Sequence, residues 1–432
     1  MAVSTPTKKR KSISRASFLK VWKKFCRLVV KILYREVEIT GVKNIPDHCG
    51  ILLCANHVNA LVDVVVLQAS TDRDIRPLAR SGLFANPALS VILNLIGAVP
   101  IYRRNDRQSH SNPHINKLKT GAARIALGAK IRNETDPAVI PVGLTFSRKG
   151  KFRSDVLVQF GEPITLSTTE SVESYAAVEI VTDRIKQSLA KVTLNADSWQ
   201  DLYLISRLEK FFALRRGKYR KGQLKERFHA LQRLIDAQRI LRVYEPDKMR
   251  SLVTQLRGFE RLCKACGIRD YHLTIQYKPL LVIMYLLRLA AILLVGLPIA
   301  LWGLLNSYLP YQLTRIISRR ISNGPDQYDT ANASFGMFFF SVFWSTQTYI
   351  IYLLTDAKFA LIYLASVIIS APFAVKLRKE FHIIKDNVKI FFLFMRRKQL
   401  RQYLENKRNE IEFELAKLVR IIKRLPKVEN IS

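Results

Sequence analysis

Cysteine is scarce: Cys26, Cys49, Cys54, Cys263 and Cys266 are the only five thiols in 432 residues. They provide no disulfide framework, and reduced thiols are the expected state. Cys263-Lys264-Ala265-Cys266 has the spacing of half a zinc site, but no second pair completes it. Acidic residues are also few, 34 against 70 Lys and Arg, leaving a net charge of +36. Such a balance calls for an anionic partner, either nucleic acid or an acidic membrane surface. No DNA- or RNA-binding signature accompanies the charge, and nucleic acid is not expected as a partner. Lys8-Lys9-Arg10-Lys11 reads equally as a disordered basic arm or a nuclear signal. Residues 1–16 are polar and basic, without the apolar core of a secretory signal peptide.

Against these shortages stand a 49% hydrophobic composition, enough for a full core, and one stretch that suggests chemistry. Residues 37–40 alternate like a short strand, and Ile51-Leu52-Leu53-Cys54-Ala55 reads as a buried one. His57 follows at once in Asn56-His57-Val58-Asn59-Ala60-Leu61-Val62-Asp63. A histidine beyond a strand's carboxyl end, with Asp63 six residues on to orient its imidazole, is suited to general-base work. The plain alternative is a loop histidine and a helix-capping or solvated aspartate.

Further blocks follow in order: Gly97-Ala98-Val99-Pro100-Ile101-Tyr102-Arg103-Arg104, then Val139-Ile140-Pro141-Val142-Gly143, Phe152-Arg153-Ser154 and Phe160-Gly161-Glu162-Pro163. Over roughly residues 36–165 this series resembles the PlsC-like glycerolipid acyltransferase family. Lys119-Thr120-Gly121-Ala122-Ala123-Arg124-Ile125-Ala126-Leu127 looks especially like the glycerol-3-phosphate and dihydroxyacetone-phosphate branch. The resemblance implies an α/β acyltransferase domain moving a fatty acyl group from acyl-CoA or acyl carrier protein to glycerol-3-phosphate, dihydroxyacetone phosphate or lysophosphatidate. It implies His57 as base and Asp63 as its orienter, with no cofactor, metal or covalent intermediate. Five residues separate the pair where four are usual, which suits the branch with an Asn two places after the His, here Asn59. Val64 stands where a Pro often follows the Asp.

Arg103 matches the arginine set against the acceptor's phosphate, for which a planar guanidinium fork is well shaped. Arg80 is a weaker candidate for the same anionic groups. Lys119 and Thr120 offer a further anion site if Thr120 caps a helix from Gly121, although a plain cap is the alternative. The family's third block, Phe-Pro-Glu-Gly, occurs nowhere in the chain. Arg104 leads through a polar stretch, including His110 and His114, directly to Lys119. The two histidines sit in a Ser/Asn/Pro loop and are not read as metal ligands. About one helix and one strand are missing, and the strand belongs within the sheet, so folding as well as binding is expected to suffer.

The remaining pattern divides the chain into a basic arm (1–16), an amphipathic helix (17–37), the acyltransferase domain (38–192), a helical segment (193–278), a membrane region (279–375) and a basic helical tail (376–432). Phe18, Trp22, Phe25, Val29, Ile32 and Leu33 recur at helical spacing among lysines and arginines. That helix suits either a membrane interface with anionic lipid or packing on the domain. Residues 198–268 read as a helical spacer or lid. Residues 335–354 and 359–374 read as a transmembrane hairpin, and 279–305 as re-entrant or interfacial, because a single crossing would put the Arg315, Arg319 and Arg320 loop outside the cytosol. The tail reads as a solvated basic helix, with Phe391, Phe392, Phe394 and Met395 available to lipid. Coiled-coil pairing into an oligomer through Ile411, Leu415, Leu418 and Ile422 is the other option. The expected setting is integral to a membrane with the catalytic domain cytosolic: endoplasmic reticulum in a eukaryote, inner membrane in a bacterium. The competing class is a catalytically impaired isoform or pseudoenzyme that binds lipid or a partner.

Overall fold

A computed structural model describes residues 15–56, 61–85, 87–102, 113–132, 136–147, 153–166, 174–215, 223–274, 279–322 and 325–424. The chain divides into two compact units, Met1–Asn195 with Asn323–Thr330, and Ala196–Ser322 with Ala331–Ser432.

The first unit opens with helix α1 (Arg15–Leu33), which passes directly into strand β1 (Tyr34–Thr40). The helix therefore stops four residues short of 37: Tyr34–Thr40 runs Y-R-E-V-E-I-T, a strand-like alternation. Strands β2 (Ile51–Ala55), β5 (Ala138–Phe146) and β6 (Ser154–Phe160) complete a four-stranded sheet in the order β1-β6-β5-β2. β1 is parallel to β6 and β2 to β5, while β5 and β6 are antiparallel. Helices α2 (Leu61–Ser70), α4 (Gly121–Arg132) and α5 (Tyr175–Val192) accompany it. One face of β2, Ile51, Leu53 and Ala55, joins the apolar cluster around Val66 and Val158; the other, Leu52 and Cys54, joins that around Ala123 and Val181. An all-apolar strand covered on both faces is the pattern of an α/β sheet.

Strands β3 (Leu78–Arg80) and β4 (Val99–Ile101), on either side of α3 (Pro87–Leu95), form a separate parallel pair. The sheet is thus divided: β3 and β4 stand outside the four-stranded part.

For α1, the structure shows the second sequence alternative, packing on the domain. Cys26 and Val30 are buried, and Phe18 and Trp22 pack on Leu93 and Ile96. Lys23 pairs with Asp74 at 2.7 Å and Arg27 with Asp72 at 2.5 Å. A flanking stripe, Val21, Phe25, Leu28 and Ile32, is exposed.

The second unit is helical: α6 (Trp199–Arg215), α7 (Leu224–Tyr244), α8 (Pro246–Ala265), α9 (Asp270–Thr274), α10 (Pro279–Ile321), α11 (Pro325–Leu354), α12 (Ala357–Arg396) and α13 (Lys398–Arg424). The solvated tail is corrected. Leu404, Ile411, Leu415 and Leu418 of α13 are buried among Leu252, Leu256 and Phe259 of α8, so spacer and tail share one core. Ile411, Leu415 and Leu418, three of the four seam residues of the coiled-coil option, are thus occupied within the chain, while the side chain of Ile422 lies outside the described set. Phe394 is also in that core rather than free for lipid, whereas Phe392 and Met395 are exposed. Cys263 belongs to the same apolar cluster.

Among the described residues, Ala331–Leu354 and Ala357–Arg396 are long and apolar enough to cross a membrane. Ile283–Leu294 and Gly296–Ile321 make a third such element if their 46° bend falls within one span. Pro298, whose ring opposes the carbonyl four residues earlier, explains the break. The two runs read as a transmembrane hairpin lie in α11 and α12, and in the structure α12 packs mainly along α10. Gly296 faces Phe373 and Leu377, a Cβ on Gly303 would stand 2.5 Å from the Ser370 carbonyl oxygen, and Tyr363 donates to Asn306 Oδ1 at 2.6 Å. These contacts run the two helices antiparallel. α12 continues unbroken past residue 375 to Arg396.

Candidate active site

β2 ends where the site begins. Its last ladder residue, Ala55, pairs with Val142, and β5 runs on beyond that point to Phe146. Asn56 closes the gap. Its main-chain N–H donates to Val142 O at 3.3 Å, its Nδ2 donates to Leu144 O at 3.0 Å, and the Leu144 N–H donates to its Oδ1 at 2.7 Å. The side-chain amide replaces the peptide that would have come next, so β5 keeps its hydrogen bonds while the main chain leaves the sheet.

Asp63 lies in the first turn of α2 and is only 2% exposed. It is therefore neither a solvated acid nor an ordinary surface residue; a carboxylate is buried this deeply where other groups take up its charge. His57, Asn59 and Arg103 lie outside the described residues. β2 and α2 nevertheless hold both ends of the segment that carries His57 and Asn59.

Arg80 is exposed at the end of β3, in register with Ile101 of the parallel β4. Arg103, two residues beyond Ile101 in sequence, lies outside the described residues, so the structure describes Arg80 alone of the two phosphate candidates. Lys119 is exposed, and Thr120 takes the cap position of α4: its carbonyl accepts the Arg124 N–H at 2.9 Å. The Thr120 hydroxyl accepts from Arg124 Nε at 3.4 Å, an interaction within the helix rather than one directed to a ligand. Near the far end of α4, Lys130 donates to Leu166 O beside the Val139–Ile164 bridge at the start of β5. α4 thus runs back along the sheet, and its N-terminus lies toward the end where β2 finishes.

Cys54, the nearest thiol in sequence, is no rival nucleophile: burial pushes its pKa up to about 11, and it stays protonated at neutral pH. Gly143, in the block before the β5–β6 turn, has a steric reason to be glycine. A Cβ there would stand 1.8 Å from the Val192 carbonyl oxygen at the end of α5. Among the described residues no group of three His, Cys, Asp or Glu could hold a metal. Sequence reasoning missed Asn56, although an amide residue placed directly after an all-apolar strand was a usable signal.

Residues 36–127 match the family described as Acyltransferase. The chain is 33% identical over 110 residues to glycerol-3-phosphate O-acyltransferase 2 of Saccharomyces cerevisiae, covering 24% of this chain and 15% of that protein. It is 28% identical over 127 residues to glycerol-3-phosphate O-acyltransferase 1 of the same yeast, covering 28% and 16%. An uncharacterized acyltransferase of Schizosaccharomyces pombe matches at 25% identity over 189 residues, 40% of this chain and 26% of that one. The chain thus spans about a quarter or less of the length of these relatives. Among solved structures, the 1-acyl-sn-glycerophosphate acyltransferase PlsC from Thermotoga maritima aligns with a TM-score of 0.31 and 18% identity, over 42% of this chain and 84% of that one. The chain therefore carries, over residues 36–127, an acyltransferase domain homologous to those of the yeast glycerol-3-phosphate O-acyltransferases.

Proposed function

We propose that the protein is a membrane-bound O-acyltransferase that moves a fatty acyl group from acyl-CoA to the sn-1 hydroxyl of glycerol-3-phosphate or dihydroxyacetone phosphate, in phospholipid biosynthesis. The observation that carries this is Asp63, buried at the start of α2 six residues after His57, just past the end of β2. In the reaction His57 takes the proton of the acceptor hydroxyl as its oxygen attacks the thioester carbonyl. The C–O bond forms, the C–S bond breaks, and the imidazolium returns the proton to the departing thiolate. Asp63 holds the imidazole in the required tautomer, and a base so placed contributes about 100- to 10,000-fold in rate. Arg103 and Arg80 bind the phosphate, with Asn59, Lys119 and Thr120 as further acceptor contacts. No cofactor is required.

The acyltransferase domain lies on the cytosolic side, at the endoplasmic reticulum of a eukaryote or the inner membrane of a bacterium, and the apolar helices of the second unit enter the bilayer. The exposed stripe of α1, with Lys20, Lys24 and Lys31 alongside, adds a surface for anionic lipid.

The acceptor has a second reading, 1-acylglycerol-3-phosphate, which presents the same phosphate and a free hydroxyl. The divided sheet favours a different alternative, a catalytically impaired lipid- or partner-binding protein. Purified protein with labelled acyl-CoA and each acceptor, beside a His57→Ala control, decides among them. Acylation of glycerol-3-phosphate lost in the variant is expected; activity unchanged by the substitution sinks the mechanism, and none with any acceptor supports the binding protein.

A further inference from the structure

We infer that Asn56 is a positioning residue for the base: its carboxamide sets the point and direction at which the chain leaves the sheet, and thereby the place of His57. The inference rests on His57 acting as that base. Three features carry it. The bonds to Leu144 are reciprocal, one donated at 3.0 Å and one accepted at 2.7 Å, which fixes the amide plane as well as its distance. The partner is the interior strand β5, held on its other side by β6 with Leu144 opposite Val158, so the anchor does not yield. The next residue in sequence is His57, joined to Asn56 by one rigid peptide.

No other side chain reproduces the device. Asp has the shape but no donor for Leu144 O and sets a second charge beside the imidazole. Leu has the shape and neither polar function, whereas Gln carries both on a stem one methylene too long. A misplacement of about 1 Å at a catalytic group costs on the order of 100-fold in rate. The role therefore differs from that of Asp63, which acts on the imidazole itself.

The test compares Asn56→Leu, Asn56→Asp, His57→Ala and the double variant Asn56→Leu/His57→Ala, using the full chain in lipid nanodiscs. The expected result is a fall of about 10- to 100-fold in kcat for each Asn56 variant, with KM for both substrates within about twofold. In the His57→Ala background Asn56→Leu is expected to change kcat no further, because the residue acts only through the histidine. Loss of activity in His57→Ala with wild-type kcat in Asn56→Leu overturns the inference and leaves the base assignment standing. Full activity in His57→Ala overturns the base assignment and the inference with it.

A second readout does not depend on turnover. The His57 ring resonance in carbon-13-histidine-labelled protein, assigned through His57→Ala, is titrated with and without Asn56→Leu. A displaced ring meets different surroundings and is expected to titrate differently in the two proteins. Identical titrations overturn the inference.

Discussion

Replacing Leu404 by alanine tests the most consequential correction the structure makes, that the basic tail is part of a core. Leu404 is fully buried, and Ile411, Leu415 and Leu418 lie on the same face of α13 at spacings of seven, four and three. Truncation to alanine removes three carbons, about 2.4 kcal/mol at 0.8 kcal/mol per methylene, and the residual cavity raises the cost to about 3 kcal/mol or more. Gln402→Ala, an exposed change on the same helix, stays within about 0.5 kcal/mol. Hydrogen exchange in the reconstituted protein reads the difference directly. A loss of about 3 kcal/mol speeds exchange of α13 and of its partner α8 by about 100-fold if both open together. A solvated helix predicts no such change. Exchange in Leu404→Ala no faster than in Gln402→Ala would refute the shared core.

Two further predictions follow from buried groups. His272 is fully buried; its Nδ1 accepts the Arg269 N–H at 2.9 Å and its Nε2 donates to Asn387 Oδ1 at 3.1 Å, tying α9 to α12 as a neutral ring. Burial, aided by Arg269, lowers its pKa against the opposing effects of Asn387 and Asp386. The unfolded chain therefore protonates first, so the contribution is complete above about pH 6.5 and is lost as the pH falls through the lower folded value. Thermal melts of the helical unit are expected to weaken below that pH in the wild type, with a shallower dependence in His272→Asn; equal slopes would exclude the assignment. In the first unit Gly143→Ala is expected to cost about 1–3 kcal/mol or more, because the obstacle is backbone rather than a flexible side chain. Gly82→Ala, where a Cβ meets nothing within 4 Å, serves as the control in the same melt.

Legibility in the sequence followed the length scale of the interaction. β2 was readable to the residue because five apolar positions end at a polar one. α5 carries its start signal locally, the Ser174 side chain accepting the Ala177 N–H at 3.3 Å. Helical spacing gave α13 its apolar positions but not their destination, since the same stripe fits a partner helix, lipid or the chain's own core. The two apolar runs of the hairpin were legible as candidate spans, but not the partner of the second: the glycines of α10 let its backbone approach α12 closely. In the site, Asp63 was legible as a residue type at a spacing, whereas Asn56 acts through Leu144, 88 positions away.

The divided sheet gives the two halves of the proposed site unequal support. The base side rests on β2, paired with β5 and covered on both faces by apolar clusters. β2 nonetheless ends its sheet, although its wholly apolar sequence is that of an interior strand. The phosphate side rests on β3 and β4, three residues each, a pair that is marginal alone and is steadied by the packing of Phe18 and Trp22 of α1 around Ala79 and Ala98. The family resemblance implies a third block with a strand within the sheet. On the proposed assignment its loss falls on the grip of the acceptor's phosphate more than on the base, because β2 keeps its partner β5. Phosphate contacts made equally in ground and transition states affect KM and leave kcat intact. Weak activity with a high acceptor KM is accordingly the signature of the divided sheet, and a low kcat at saturating acceptor is that of a displaced base.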